Sequence, residues 1–348
     1  MDSEWMRSSS LQGVDKIIED LGGDPEQVCD AAGVALVMVK YGTHFLPIEQ
    51  VVRFLNYCSQ LFQIEGFGLR LGIQQNFSVL GPAWALLQNS ADIGEMLRDL
   101  ARHFVLHTNA ASLSCRNTVD GLKLSYSLAG GGLYNERQLV EMAFALLCGQ
   151  LRLMAPQARW DQVTVQFAHS SPSDLSLHRL VLGPNINFNQ EINAIAFDQQ
   201  FLSQPIARAD RNHRHLIKTQ LDRRIAEIPK SAVHDVEVAI RELLLESSAC
   251  TLESVSKKLA MSVRTIQRRL LLENTNFIEI RDRVRAAIAL QLLRDSNLKA
   301  IQIAEVLGFS GLTVFSRFFK RQHGETMKEV KLKLKQKKPP LNSLDFWQ

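Results

Sequence analysis

Apolar positions recur at helical spacing over most of the chain and at strand spacing over a short middle stretch. Leu11, Val14, Ile17, Ile18 and Leu21 form a helical stripe that stops at Gly22-Gly23. Asp24-Pro25 offers an N-cap with proline in the first turn and predicts a short helix through Val28. Pro47 opens a longer helix with Val51, Val52, Leu55, Cys58 and Leu61 on one face, and further helices are expected from Leu80 to Leu87 and from Ile93 to Leu106. The period then falls to two. Ala111 to Cys115 and Leu122 to Leu128 alternate on either side of Asp120-Gly121 and predict a hairpin. Helical spacing returns with Val140, Phe144, Leu147 and Leu151 between Asn135 and Leu153. Val163 to Phe167, Ile186 to Phe188 and Ala194 to Phe197 read as short strands. Residues 1–205 therefore predict an α+β unit, with helices first and a modest sheet later; the pattern leaves strand order open.

From Pro205 to Ile228 the chain turns polar, with Arg208, Asp210, Arg211, Arg214, Lys218, Asp222 and Arg224 among its charges. A solvated connecting helix, residues 206–229 and ended by Pro229, is the reading. Val233, Val236, Val238, Ile240, Leu243, Leu244 and Leu245 then open an all-α domain, residues 230–338, with a tail at 339–348.

That last domain carries one pattern twice. Its first copy runs Val255, Leu259, Met261-Ser262, then Arg264, Thr265, Ile266, Gln267, Arg268 and Leu270. The second runs Ile303, Leu307, Phe309-Ser310, then Leu312, Thr313, Phe315, Ser316, Arg317 and Phe319. Forty-eight residues separate Val255 from Ile303, and 49 separate Arg268 from Arg317, so the second copy has one extra residue in its turn. Short amphipathic helix, tight turn, amphipathic helix with Arg and Gln: this is the plan of a helix-turn-helix DNA reader, present here in tandem. Ile280, Val284, Ile288 and Leu292 predict a linker helix joining the two units. Two readers so joined suit successive major grooves, about 34 Å apart.

The chemistry follows from the spacing. Val255, Leu259, Ile266 and Leu270 bury one side of the first unit, and Ser262 is placed to cap the trailing helix. Arg264, Gln267 and Arg268 are left on the opposite face, where Arg pairs bidentately with guanine and Gln with adenine, each good contact giving about 1–3 kcal/mol of discrimination. Asn274 stands where a left-handed residue ends the helix. In the second unit Thr313, Ser316 and Arg317, with Leu312 and Lys320 beside them, occupy the corresponding face. These side chains carry less base information, so the first unit is expected to be the stricter reader. A plain helical bundle with solvated arginines is the competing account.

Charge supports the nucleic-acid reading once it is divided. Residues 251–338 hold 19 Lys and Arg against 8 Asp and Glu, whereas residues 1–250 hold 21 against 27. A net charge of +4 thus hides a basic end and a mildly acidic remainder. Lysines 328, 331, 333, 335, 337 and 338 extend the basic run, either as a solvated end or along phosphates.

Gly308-Phe309-Ser310, Phe315-Ser316-Arg317-x-Phe319-Lys320-Arg321 and Gly324-Glu325-Thr326 resemble the signature of AraC/XylS-type transcription regulators over roughly residues 235–331. Met327 and Val330-Lys331 depart from the proline and Tyr-Arg common in that family. The N-terminal part, through Leu80-Gly-Pro82 and its length, resembles the arabinose-binding-like ligand-binding domain of the ornithine-utilisation, MmsR and quorum-sensing-associated branch. The resemblance implies a homodimer binding double-stranded promoter DNA at σ70-type promoters with RNA polymerase, activation as the sense of control, and a small-molecule effector. It implies metabolic, quorum-sensing or virulence genes as targets. Ser262, Arg264, Thr265, Gln267, Arg268, Leu312, Thr313, Ser316, Arg317 and Lys320 are the DNA-binding candidates.

Other motifs point to no second chemistry. His103 and His107 are spaced i, i+4, but no Glu follows as a zinc protease needs. Gly130-Gly-Gly132 lacks the Lys-Ser/Thr of a phosphate loop, and no GxSxG elbow frames a nucleophile. Cys29, Cys58, Cys115, Cys148 and Cys250 are odd in number and lack a CxxC pair, which predicts free thiols rather than disulfides or zinc. His213-Arg-His215 reads as a solvated face. Neither catalytic site, metal nor cofactor is expected. Without a membrane span or signal peptide, the expected location is the cytoplasm, at the nucleoid. Two alternatives stay open: an N-terminal domain that answers a protein partner with no effector, and an enzyme fused to the reader.

Overall fold

The computed structural model describes residues 4–128, 135–206, 209–228, 232–245, 250–295 and 298–336. Gly130–Gly132, Arg208, Pro229, Lys337, Lys338 and the 339–348 tail lie outside the described residues, as do the side chains of Arg211, Leu245 and Lys335. The described chain falls into two compact units, one ending at residue 228 and one beginning at residue 232.

The first unit opens on β1 (Trp5–Arg7), which pairs antiparallel with β2 (Phe45–Pro47) across the helices α1 (Val14–Asp20), α2 (Pro25–Ala31) and α3 (Leu36–Tyr41). Strands of three residues are too short to show alternation, and neither is legible in the sequence. Asp24 caps α2 as its sequence predicts, accepting the Glu26 N–H at 2.9 Å. Then come α4 (Ile48–Leu61), α5 (Phe67–Gln74), α6 (Ala83–Leu87) and α7 (Ile93–His103). Val51, Val52, Leu55 and Cys58 are buried on α4, but Leu61 at its end is 46% exposed. The helix expected from Leu80 begins only at Ala83, because Gly81 takes φ 64° and separates a 3-10 turn, Phe77–Leu80, from α6. Likewise α7 tightens into a 3-10 turn over Phe104–Leu106.

The hairpin is β3 (Ala111–Asn117) and β4 (Gly121–Leu128), closed by the Thr118 N–H donating to the Gly121 carbonyl at 2.9 Å. It is followed by α8 (Arg137–Met154), β5 (Thr164–Gln166), α9 (Ser176–Leu182), β6 (Asn185–Asn187), β7 (Asn193–Asp198) and α10 (Gln199–Leu202). The five strands run β3-β4-β7-β5-β6, with only β5 and β6 parallel. Leu122, Leu124, Tyr126 and Leu128 put one face of β4 into the core. On α8 the expected stripe of Val140, Phe144, Leu147 and Leu151 is buried, and so are Leu139, Glu141, Met142 and Ala145, so the helix is enclosed on several sides. Glycines explain how α5 comes so near it: a Cβ on Gly68 would lie 1.9 Å from the Gln138 carbonyl oxygen, and one on Gly72 would lie 2.2 Å from that of Met142.

α11 (Arg211–Glu227) is the helix expected as a solvated connector. It instead packs on α6 and α7 and belongs to the first unit, with Leu221 buried. Its charges have partners there: Arg214 meets Glu95 at 2.9 Å and Asp99 at 2.5 Å, while Asp222 meets Arg102 at 3.0 Å and His103 at 3.1 Å. Arg214 is therefore an anchor rather than part of a solvated His-Arg-His face.

The second unit is all helical: α12 (Ala232–Leu245), α13 (Leu252–Lys258), α14 (Val263–Leu272), α15 (Phe277–Asp295), α16 (Ala300–Val306), α17 (Leu312–His323) and α18 (Met327–Gln336). The predicted α+β then all-α order is thus the observed one. α15 buries more than the stripe of Ile280, Val284 and Leu292: Ala286, Ala289 and Leu293 are buried too, because α12 and the group α16, α17 and α18 pack on it. Charge pairs fasten the bundle. Arg283 bonds Glu237, Lys258 meets Glu242 at 2.9 Å, and Arg321 meets Asp282 at 3.0 Å.

Candidate nucleic-acid interface

Each repeat folds as two helices about a tight turn, α13 with α14 and α16 with α17. In the first, Val255, Ile266 and Leu270 are buried and Leu259 is half-buried. The turn places Ala260 at φ 49°, a left-handed position that the second turn fills with Gly308 at φ 70°. Ser256 steadies the first turn by bonding the Met261 carbonyl. The Ser262 hydroxyl caps α14, accepting the Thr265 N–H at 3.1 Å, and its Oγ lies 2.8 Å from the Thr265 Oγ1. At the far end Asn274 adopts φ 55° while the Thr275 N–H reaches the Leu270 carbonyl at 3.1 Å, the left-handed ending its position predicts. With both ends held, Arg264, Gln267 and Arg268 stand exposed on one face.

The second repeat keeps the core and alters the entrance. Ile303, Leu307, Phe315 and Phe319 are buried, and Phe318 packs 4.8 Å from Phe309. Five residues separate α16 from α17, against four between α13 and α14, which is the extra residue of the sequence comparison. That residue moves the start of α17 to Gly311, whose N-cap position provides no side-chain hydrogen bond, so Ser310 does not do for α17 what Ser262 does for α14. Leu312, Thr313, Arg317 and Lys320 are exposed and Ser316 is half-buried, all on one stripe of α17. Val314 lies outside the core as well, at 51% exposure.

The basic residues of the bundle are not all used alike. Arg281, Arg283 and Arg321 pair with acidic side chains, and Arg285 lies 5.0 Å from the Phe309 ring, where burial holds its guanidinium below the usual range. Among the described residues, Arg264, Arg268, Arg317 and Lys320 have no carboxylate in ion-pair range. Sequence spacing singles out this unpaired group, but it gives no sign that Arg285 lies under the second turn. On α18, Lys328 and Lys333 are exposed and Lys331 is half-buried.

The first unit holds a cavity of about 60 Å³. Leu139, Met142 and Leu146 of α8 form one side, and Phe104 and Leu100 another. Its polar groups are Ser10, Gln75, His107 and Tyr126. Gln75 donates to the Ser10 and Gln12 carbonyls at 2.8 and 2.9 Å, and the Ser10 hydroxyl lies 3.0 Å from the His107 Nε2. The Gln75 Oε1, the His107 Nδ1 and the Tyr126 hydroxyl have no protein partner. Burial, helped by the charge of Arg7, pushes the His107 imidazole down to about 3, so it is neutral at physiological pH. His103 lies apart from this, bonded to the Asp99 carbonyl at 2.8 Å and to Asp222. Among the described residues, no group of three or more His, Cys, Asp and Glu side chains is placed to hold a metal, and no helix is long and apolar enough to cross a membrane. All five cysteines are free, and burial pushes the Cys58 and Cys148 thiols up to about 12.

Comparison with known proteins agrees with both units. Residues 22–206 match the family described as the arabinose-binding domain of AraC transcription regulator, N-terminal, and residues 255–333 match a helix-turn-helix domain family. The HTH-type transcriptional regulator VirS of Mycobacterium tuberculosis is 25% identical over 330 residues, covering 94% of this chain and 96% of VirS. The ornithine utilization regulator of Pseudomonas aeruginosa is 24% identical over 288 residues, covering 81% and 82%. The crystal structure of the transcriptional regulator CdpR from Pseudomonas aeruginosa aligns at 17% identity over 88% of this chain and 96% of that one, with a TM-score of 0.37. With a family match over more than half its length and a tandem helix-turn-helix bundle behind it, the chain belongs to the AraC-type transcriptional regulators.

Proposed function

We propose that the second unit reads double-stranded promoter DNA in a sequence-specific way through both repeats. Arg264, Gln267 and Arg268 supply most of the base discrimination, and Leu312, Thr313, Ser316, Arg317 and Lys320 supply the rest. Ser262 and Thr265 act at the entrance of α14, where a phosphate fits the positive end of the helix. The observation that carries this reading is the separation of the basic residues. Arg281, Arg283 and Arg321 are paired and Arg285 is buried, while Arg264, Arg268 and Arg317 stand exposed on two helix faces without a carboxylate in ion-pair range. Lys328 and Lys331 lie along the backbone and add salt-dependent affinity without sequence information, and Lys333 joins them only by giving up its bond to Glu325.

The first unit governs that activity as a sensing and self-association domain, giving a homodimer that responds to a small molecule. Its buried cavity with unpartnered polar groups supports sensing over a purely protein-binding role. The chain acts in the cytoplasm at promoters used by RNA polymerase, as an activator, and has no catalytic function of its own. Its targets belong to the metabolic, virulence or quorum-sensing classes, the first of which the name of the ornithine utilization regulator supports.

Selection of bound DNA from a random pool at fixed salt tests the reading. The expected outcome is a site with one strongly specified segment and a second, looser one about a helical turn away. Enrichment of no sequence over the starting pool would overturn it.

A further inference from the structure

The cavity of the first unit has an unusual wall. Almost all of it is hydrocarbon, none of its lining side chains is charged at neutral pH, and three of those side chains carry a buried polar atom without a hydrogen-bond partner: Tyr126 Oη, His107 Nδ1 and Gln75 Oε1. Tyr126 is 4% exposed and His107 5%, so these atoms cannot turn to bulk solvent. Leaving a buried hydroxyl or carbonyl unsatisfied costs about 1–3 kcal/mol, and three such groups around one space form a site that a hydrogen-bonding occupant completes. Their types differ in use. The Tyr126 hydroxyl both donates and accepts, Gln75 Oε1 only accepts, and the His107 Nδ1 takes the role its Nε2 contact with Ser10 leaves to it. Phe104 lies between the two rings, 5.5 Å from His107 and 6.2 Å from Tyr126.

We infer that this cavity is the effector site, and that it takes a small uncharged molecule, mostly hydrocarbon, bearing one hydroxyl or carbonyl group. The inference rests on reading the first unit as a sensing domain and names the ligand class for it. Charge is disfavoured because no lining side chain is a counter-ion, Arg7 acting on His107 only from outside the lining, and an unpaired ion in such a place neutralises or stays in water. Size is bounded by the volume, roughly four to six times the ~10–15 Å³ that admits one water and under half the ~150 Å³ of a cavity that takes up benzene, so a single small ring is the upper limit. A six-membered ring with one polar substituent probes that limit.

The same helix that lines the cavity also holds the connector. Leu100 of α7 faces the cavity, and its neighbours Asp99, Arg102 and His103 bind Arg214 and Asp222 of α11. A ligand that shifts α7 therefore shifts the helix leading towards the DNA-binding unit.

Four isosteres separate the possibilities on the full-length protein: cyclohexanol, cyclohexane, cyclohexylamine and cyclohexanecarboxylate, each titrated by calorimetry and by thermal shift at neutral pH. Cyclohexanol is expected to saturate and to raise Tm with concentration, while the two ions bind at least tenfold more weakly. Tyr126→Phe, which keeps the ring, is expected to weaken cyclohexanol three- to tenfold and to leave cyclohexane unchanged. Ala143→Leu, which fills space in the lining, should weaken both. Equal binding of the charged probes, no saturable cyclohexanol binding, or indifference to both substitutions would overturn the site. Promoter-DNA affinity is measured on the same samples. Saturable cyclohexanol binding that leaves it unchanged would support the site and remove the effector reading.

Discussion

Arg214 of α11 reaches back across 115 residues of sequence to Asp99 of α7, at 2.5 Å, with Glu95 at 2.9 Å on the same guanidinium. Both partners of the closer pair are largely buried. Removing the arginine leaves a carboxylate in a poorly solvated place, a change that costs about 3–5 kcal/mol in fully buried pairs. Arg214→Ala is therefore expected to destabilise the docking of α11 by roughly 2–3 kcal/mol, allowing for the partial exposure of the site. Hydrogen exchange of the α11 amides would show it as faster exchange confined to that helix and the end of α7. Unchanged protection would mean that Leu221 and its apolar contacts hold the helix alone.

Arg268→Ala should lower affinity for the selected site by about 1–3 kcal/mol and leave binding to random DNA nearly untouched. Arg317→Ala is expected to cost less at the site and to weaken specific and random DNA more equally, because its neighbours on α17 read little. Salt-matched gel shifts on both DNAs distinguish the two. If the substitutions behave alike, the two faces are equal readers.

The two turns offer a matched pair of tests. Ala260 at φ 49° carries the strain of a side chain in left-handed backbone, roughly 1 kcal/mol. Ala260→Gly should relieve up to about 0.5 kcal/mol of it after the extra chain entropy of glycine. The reverse change, Gly308→Ala, should cost a similar amount, since its Cβ would meet only the end of Arg285, 3.4 Å away. Denaturant midpoints report both.

Two buried histidines set an acid limit on the first unit. Burial pushes His107 down to about 3 and His169 down to about 4, the latter against the pull of Glu141, 3.5 Å from its Nε2. His107 faces Ser10 and the charge of Arg7; His169 faces Glu141, Arg137 and His178. A depressed histidine contributes stability that is complete above its unfolded value near 6.5 and is lost as pH falls towards the folded one. Each should cost about 2 kcal/mol by pH 5. Urea midpoints between pH 7.5 and 5 are expected to fall, and His107→Gln should flatten part of the slope. A profile flat from 7.5 to 5 would mean that both rings take up protons in the folded state as readily as in the unfolded one.

Local pattern made the reader legible and left its surroundings hidden. The cores of both repeats, the Ser262 cap, the left-handed Asn274 and the extra residue in the second turn all follow from residues within about fifteen positions of one another. The loss of the cap at Ser310 does not, because it depends on where the inserted residue lets α17 begin. α11 shows the same limit more strongly. Arg, His and Asp on a helix read as solvated until their partners, a hundred residues earlier, are known. The cavity was invisible for a related reason: Tyr126, His107 and Gln75 sit in three separate elements and share nothing in sequence but polarity among apolar neighbours. β1 and β2 were simply too short to carry a period.

The single residue at Gly311 has an effect that reaches beyond the protein. It makes the entrances of the two reading helices different, and their side chains differ as well, so a protomer seated on its proposed site cannot be turned end for end and make the same contacts. The site thus has a heading. Inverting it in a promoter, with every base and the spacing to the start point kept, should present the first unit to the opposite side of the gene, which makes orientation itself part of the regulatory instruction.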